Sequence, residues 1–179
     1  MALNTNKSKK GGLMPELYNI DNPVLKISNE HKIITDYVSR FSKNRENPDP
    51  AFEKDLQSFL NFLKKDLKQH FRLEELIFYP AALNGDPSYA TSLMVLNLTR
   101  EHGIFETRLK AIQAVEKRVD EEMRRTSLME KIGNFFDDLK DHARREIIEL
   151  FPLIDANARC TALLKQYIQE VQSQDKSKG

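Results

Sequence analysis

All four histidines of this chain lie in rows of apolar residues that recur at alternating gaps of three and four positions. Rows of this kind are typical of helices that bury one face in a bundle. Each histidine stands where its row requires a core residue, so the fold has to bury four imidazoles among apolar side chains. The rows are, in chain order, Val24, Ile27, His31, Ile34, Val38, Phe41; then Leu56, Leu60, Leu63, Leu67, His70, Glu74, Ile77; then Val95, Leu98, His102, Phe105, Leu109, Ile112; then Leu128, Ile132, Phe135, Leu139, His142, Glu146, Leu150.

The sequence also contains an internal repeat. Residues 66–80 and 138–152 are identical at seven of fifteen positions, and both contain the motif His-x-x-x-Glu. Upstream, Glu-His-Lys-Ile at residues 30–33 aligns with Glu-His-Gly-Ile at residues 101–104. The offsets are 72 and 71 residues, so each half is predicted to be a helical hairpin that carries a histidine and then His-x-x-x-Glu. The two hairpins are expected to face each other.

Polar residues next to prolines predict where the helices begin. A cap residue before a proline suits the first turn of a helix, and residues 21–23, 49–50 and 86–87 have this pattern. Ser127 with Glu130 fits a capping box and predicts a fourth start. The predicted ends of the four long helices lie near Phe41, Tyr79, Val119 and Phe151.

The composition favours an all-α fold of one domain. Charged residues make up 31% of the 179 residues, glycine and proline are scarce and tryptophan is absent, as expected of a protein built from long solvated helices. We expect the domain to cover residues 17–172, with a short C-terminal helix from about Ala158 to Val171 that packs across the bundle. Residues 1–16 are predicted to be a flexible arm and residues 173–179 a disordered tail.

Charge and cysteine content exclude several classes of protein. The net charge is +1 and the acidic and basic residues are interspersed, so neither nucleic acid nor an anionic membrane is an expected partner. One cysteine, Cys160, allows no intramolecular disulfide and no thiolate cluster, and we expect it to be a small buried residue. No apolar run reaches membrane-spanning length and no apolar segment follows the first lysines. A soluble, cytoplasmic protein is predicted.

The buried histidines and glutamates predict a metal centre. Imidazoles and carboxylates in a bundle core cost several kcal/mol unless they are paired, hydrogen-bonded or bound to a cation. In His-x-x-x-Glu both side chains lie on one face of a helix, one turn apart. Four nitrogen and two carboxylate ligands suit iron, manganese or zinc better than calcium or magnesium, and carboxylates can bridge two ions. The predicted ligands are His31, His70, Glu74, His102, His142 and Glu146.

The order of these residues resembles the hemerythrin-like, or HHE cation-binding, domain over about residues 23–152. The resemblance extends to the glutamates before His31 and His102 and to His-Phe-x-x-Glu-Glu-x-x-x-Tyr-Pro at residues 70–80. It implies an up-down-up-down four-helix bundle with a non-heme di-iron centre, Fe2+ or Fe3+, in which the histidines are terminal ligands. It also implies that Glu74 and Glu146 bridge the two iron ions, with a further oxo or hydroxo bridge, and zinc or manganese would be substitutes.

One position departs from the oxygen-carrying hemerythrins. These proteins typically have a further histidine one turn after the histidine of the third helix, and here that position is Glu106. Glu106 lies on the same face as His102 and is either a seventh, terminal ligand or a residue just outside the ligand shell. Its counterpart in the first half is Thr35, so the two ends of the centre are expected to differ.

Several neighbours of the motif have a structural interpretation. Glu75 follows Glu74 and should point to another, solvated face of the helix. Gly103 either permits a close helix approach or reflects tolerance of a small residue. The aromatic and apolar residues expected to pack around the site, none of them a ligand, are Ile34, Phe71, Phe78, Phe105, Tyr37, Tyr79 and Tyr167. The alternative for the three tyrosines is that one of them furnishes a phenol near the metals, and packing is the favoured interpretation.

Three functions are compatible with such a centre. The favoured one is a binding protein, rather than a dedicated enzyme, that takes up O2, NO or a related diatomic for sensing, storage or scavenging. The second is a di-iron redox enzyme or iron-sulfur repair protein that reacts with O2, peroxide or NO, and Glu106 favours it. The third is iron handling or storage, in which the metal mainly stabilises the bundle. The sequence identifies neither an electron donor nor an oligomeric state.

Overall fold

The computed structural model describes residues 23–44, 50–116 and 121–176, and within these ranges every long segment is helical and no strand occurs. The helices are α1 (Pro23–Asn44), α2 (Pro50–Leu73), α3 (Tyr79–Gly85), α4 (Tyr89–Glu116), α5 (Glu121–Arg145), α6 (Phe151–Ala156) and α7 (Ala158–Lys176). The predicted all-α class is confirmed. The predicted arm at residues 1–16 lies outside the described residues, and α7 continues to Lys176, into the segment predicted as a tail.

Two of the predicted helix starts agree with the first described residue of a helix, and two are wrong. α1 and α2 begin at Pro23 and Pro50, as the prolines predict, whereas their predicted cap residues lie outside the described ranges. α4 begins at Tyr89, because the Ser88 hydroxyl accepts a hydrogen bond from the Thr91 amide and so caps the helix two residues later than predicted.

The predicted start at Ser127 is wrong, because α5 already begins at Glu121. The predicted ends near Tyr79 and Phe151 are also too early, because helix continues to Gly85 and Ala156. The predicted end near Val119 lies outside the described residues.

The four long helices form a bundle with an apolar core. α1 packs against α2 and α5, and α4 packs against α2 and α5, so each long helix has two long neighbours. From Ile27 on, every residue of the four apolar rows is buried, which confirms the predicted faces. The core forms two apolar clusters, one around Leu63, Phe105 and Phe136 and one around Phe78 and Leu98.

The helices of both hairpins contain a π-helical turn at the same place in the repeat. Residues Glu74–Phe78 and Glu146–Leu150 are π-helical, and each turn connects two α-helices without a break. The Tyr79 amide donates to the Glu74 carbonyl and the Phe151 amide to the Glu146 carbonyl, which are bonds to the fifth residue back. The apolar rows did not reveal this change of period.

The last helix covers one end of the bundle. α7 packs against α3, α6 and the first π-helical turn. Its Cys160 is fully buried, as predicted, and lies against the backbone of α3 at Gly85. Among the described residues, no helix has both the length and the apolar character that crossing a membrane would require.

Candidate metal centre

The structure brings six of the seven predicted site residues together in the middle of the bundle. Their side chains come from α1, α2, α4 and α5 and from the first residue of each π-helical turn. All six residues are at most 5% exposed. They form two groups whose possible ligand atoms lie within 4.8 Å of one another: His31, His70, Glu74 and Glu146; and Glu74, His102, His142 and Glu146.

The imidazoles face each other through their Nε2 atoms. His31 Nε2 lies 2.9 Å from His70 Nε2, and His102 Nε2 lies 3.1 Å from His142 Nε2. The carboxylates lie between these pairs: Glu74 Oε1 is 2.9 Å from His70 Nε2. Its other oxygen is 3.3 Å from His102 Nε2. Glu74 therefore reaches both halves of the centre with different oxygens.

The outer nitrogens of three imidazoles are held by carboxylates. Each Nδ1 lies 2.8 Å from a glutamate oxygen, in the pairs His70 with Glu30, His102 with Glu75, and His142 with Glu101. Such contacts fix the ring orientation and put a proton on Nδ1, which leaves the Nε2 lone pair free for a metal. His31 Nδ1 differs, since it is buried and has no hydrogen-bond partner among the described residues.

The carboxylates raise the pKa of the imidazoles. Burial alone would lower the pKa of His31, His70 and His102, but the nearby carboxylates, Glu74 above all at His70 and His102, outweigh it. The pKa of His70 rises to about 10. Burial opposes ionisation of Glu74 as well, but His70 and the other imidazoles hold its pKa well below the ordinary value. The cluster therefore requires positive charge next to its carboxylates.

The donor set fits a pair of cations. Three carboxylate oxygens, both of Glu74 and Oε2 of Glu146, are buried without a hydrogen bond from any described residue. Two Nε2 atoms at 2.9 Å can share only one proton between them. Metal ions between the imidazoles and carboxylates would satisfy both kinds of atom and would displace the protons. Nitrogen with carboxylate ligands is a set that iron, manganese and zinc accept.

Tyr79 contributes a hydroxyl to one half of the centre, which the sequence left open as the alternative to packing. The residue is 2% exposed, and its hydroxyl donates to Glu146 Oε1 over 2.7 Å and lies 3.1 Å from His102 Nε2. Burial and the neighbouring negative charges of Glu74 and Glu146 raise the pKa of this phenol. It is therefore a neutral hydrogen-bond donor at the centre. Its repeat counterpart, Phe151, has no hydroxyl.

Glu106 is the predicted site residue that the structure does not bring to the cluster. Its side chain is exposed, and it belongs to neither group of possible ligand atoms. Glu106 follows His102 by one turn of α4 but lies outside the buried row that contains His102 and Phe105. Of the two interpretations of Glu106, the position outside the ligand shell agrees with the structure.

Sequence reasoning missed the role of Glu75. Glu75 lies on a different helix face from Glu74, as predicted. That face is next to α4, and the Glu75 carboxylate is hydrogen-bonded to His102 of that helix. The prediction that Glu75 is simply solvated is therefore incomplete. The signal for the other two outer carboxylates was visible, since Glu30 and Glu101 each precede a histidine of the repeat.

A family model described as the hemerythrin HHE cation binding domain matches residues 22–154. This range includes all six clustered residues, both π-helical turns and the three outer glutamates. Neither the curated proteins nor the solved structures gave a significant match to the chain.

Proposed function

The chain belongs to the hemerythrin HHE cation-binding family, and we propose that its buried cluster holds two iron ions that bind O2 or a related diatomic such as NO. The observation that carries the proposal is that two groups of ligand atoms share Glu74 and Glu146. Glu74 reaches the two ends with different oxygens. Glu146 reaches them with one oxygen, since its Oε2 lies 3.1 Å from His31 Nε2 and 3.5 Å from His142 Nε2. A carboxylate in either arrangement can bridge two ions. One ion would be held by His31 and His70 and the other by His102 and His142, with the two glutamates common to both.

The donor set supports iron, and manganese or zinc would compete for the same atoms. An iron pair supplies electrons to a bound diatomic. Two imidazoles and two shared carboxylates for each ion leave coordination positions for a small ligand. Aromatic rings make the surroundings of the imidazoles apolar, since Phe71 stacks on His102 at 4.1 Å and Phe151 on His31 at 5.5 Å. An apolar wall of this kind suits a small uncharged molecule.

The same geometry supports an up-down-up-down course for the four long helices. Only a few residues separate α1 from α2, α3 from α4 and α4 from α5, and short connections favour antiparallel neighbours in a bundle. The predicted cytoplasmic location stays a prediction.

A redox reaction with O2, peroxide or NO is the second candidate, and the observation that favours it is the Tyr79 hydroxyl. Such reactions develop negative charge on the bound molecule, and this hydroxyl is a buried hydrogen-bond donor that contacts Glu146 and lies near His102. Iron storage has no comparable observation in its favour and stays a prediction.

Metal analysis of the purified full-length chain tests the metal centre. We expect two iron ions per chain and a lower melting temperature after chelation, because the carboxylates then lose their cations. Glu74→Ala should lose iron, whereas Glu149→Ala, an exposed glutamate on the second π-helical turn, should retain it. A wild-type protein without transition metal, whose melting temperature chelation leaves unchanged, would contradict the proposal.

Exposure of the reduced protein to O2 separates the two candidates. A new absorption spectrum that reverses on removal of O2 supports diatomic binding. Immediate and irreversible oxidation supports the redox reaction instead. The Tyr79→Phe variant, measured beside wild type, shows whether the hydroxyl accounts for the difference.

A further inference from the structure

The internal repeat is broken at one contact beside the metal centre. Glu75 Oε1 accepts a hydrogen bond from His102 Nδ1 over 2.8 Å. At the repeat offsets of 71 and 72 residues, the counterpart of His102 is His31 and the counterpart of Glu75 is Ile147. An isoleucine has no acceptor, and His31 Nδ1 is buried with no hydrogen-bond partner among the described residues.

The other two outer contacts have the same length in the two halves, although Glu101 also accepts a hydrogen bond from Arg145. Glu30 and Glu101 are counterparts at an offset of 71 residues, and each lies 2.8 Å from the Nδ1 atom of a histidine on the neighbouring helix. These histidines, His70 and His142, are counterparts as well. The loss of a carboxylate at Ile147 is therefore specific to the His31 end.

Ring stacking also holds His102 more firmly than His31. Phe71 and Tyr79 both stack on His102, with ring centroids 4.1 and 5.4 Å away. On His31, Phe151 stacks at 5.5 Å, and the counterpart of Phe71 is Ala143, which has no ring. His102 is therefore more completely oriented than His31.

These differences bear on metal affinity. To bind a metal through Nε2, a neutral imidazole has to carry its proton on Nδ1. Glu75 accepts that proton at His102, whereas at His31 the N–H would be buried without an acceptor, which is unfavourable. Partners of this kind orient the ring and make it a better ligand, and their loss typically costs about 10- to 100-fold in metal affinity.

We propose that Glu75 is a positioning residue that makes the His102 and His142 end the tighter of the two metal positions, so that the centre fills in a fixed order. The first ion binds at His102 and His142, and the second at His31 and His70. The inference rests on the proposed two-ion function. It adds that a form with one ion exists at intermediate metal concentration, with the His31 end open.

Titration of the metal-free full chain with Fe2+ under anaerobic conditions, against a competing chelator, measures the two dissociation constants. Two cations that share carboxylates repel each other, so even a symmetric centre would give two different dissociation constants. The test is therefore how each constant changes from wild type to variant. We expect Glu75→Ile to weaken the first constant by about 10- to 100-fold and to leave the second nearly unchanged. Ile147→Glu should tighten the second constant and leave the first.

Matched controls separate position from charge. Ile148→Glu adds the same charge one residue away from Ile147, and Glu149→Ile removes one charge from the same exposed turn. Neither should change the ratio of the constants. Glu75 and Ile147 are 43% and 42% exposed, so both exchanges should be tolerated, and if one variant fails to fold the other still decides.

The outcomes are distinct. The inference is overturned if Glu75→Ile weakens both constants equally, or if Ile147→Glu behaves as Ile148→Glu does. Either result would leave the two-ion centre standing. A wild-type chain that binds fewer than two ions would overturn the proposed function itself.

Discussion

Tyr79 donates its hydroxyl hydrogen to Glu146 Oε1 over 2.7 Å, and this bond joins the two halves of the repeat inside the bundle. Tyr79 follows the first π-helical turn, and Glu146 begins the second. Both groups are buried, so neither has water as an alternative partner. The bond therefore orients a carboxylate that is common to both groups of ligand atoms.

Tyr79→Phe is expected to destabilise the metal-free protein. Glu146 Oε1 loses its donor, and a hydrogen bond to a charged group contributes about 1.5 to 3 kcal/mol. Urea unfolding of the metal-free chain measures the loss. Tyr167→Phe is the control, because it removes a hydroxyl that accepts a hydrogen bond from Asn84 at the exposed surface. Equal stability of the two variants would contradict the role of the buried bond.

Glu106→Ala is expected to leave the iron content and the visible spectrum unchanged, because the side chain is exposed and lies outside the cluster. The substitution also conserves the helix, since alanine is a good helix former. Iron analysis beside Glu74→Ala provides the comparison. Loss of one iron per chain in Glu106→Ala would place this carboxylate in the ligand shell after all.

The sequence was sufficient to predict which faces are buried, because the spacing of three and four residues describes an α-helix that keeps one side toward the core. It was also sufficient to identify the six clustered residues, because each of them stands in a buried row where a polar group needs compensation. Helix starts were predicted less well. Ser127 has a capping pattern, but the helix already begins at Glu121, and local capping is weak beside packing of a long apolar face.

The sequence favours packing for Tyr79 over a position at the metals, because α-helical spacing does not include the change of period next to the ligands. In an α-helix, a residue five positions after Glu74 lies on a different face. Within the π-helical turn the Tyr79 amide bonds to the Glu74 carbonyl, so one turn takes an extra residue. Tyr79 thereby returns toward the face of Glu74, and Phe151 returns toward that of Glu146 in the same way. A rule based on α-helical spacing assigns both rings to packing.

The metal-free protein is expected to lose stability as the pH rises. Burial would lower the pKa of His70, but the Glu74 and Glu30 carboxylates raise it from 6.5 to about 10. A proton held more tightly in the folded state stabilises it fully below about pH 6.5, and this contribution is lost as the pH rises through about 10. Urea midpoints of the metal-free chain across this range test the slope. The iron-loaded chain should lack it, because the metal has replaced the proton; a flat profile for the metal-free chain would contradict the assignment.

Gly85→Ala is expected to destabilise the protein, and Gly103→Ala to stabilise it. A Cβ at Gly85 would lie 2.7 Å from the Cys160 Cα, and backbone cannot move aside cheaply. We expect a loss of about 1 to 3 kcal/mol. At Gly103 nothing lies within 4 Å, so tolerance rather than close helix approach explains this glycine, and alanine should add about 0.5 to 1 kcal/mol. Urea unfolding measures both, and similar effects of the two substitutions would contradict the described contact between α3 and α7.

Variants with a single metal position compare the two ends without repulsion between the ions. His31→Ala removes a ligand from one end and His102→Ala from the other, so each variant should bind one Fe2+ per chain where the wild type binds two. His31→Ala keeps the His102 and His142 end, where the Glu75 contact remains. His102→Ala keeps only the His31 and His70 end, which has no such contact. The ion in His31→Ala should therefore bind about 10- to 100-fold more tightly. Circular dichroism of both metal-free variants controls for folding. Equal affinities in two folded variants would show that the outer carboxylate does not determine which end fills first.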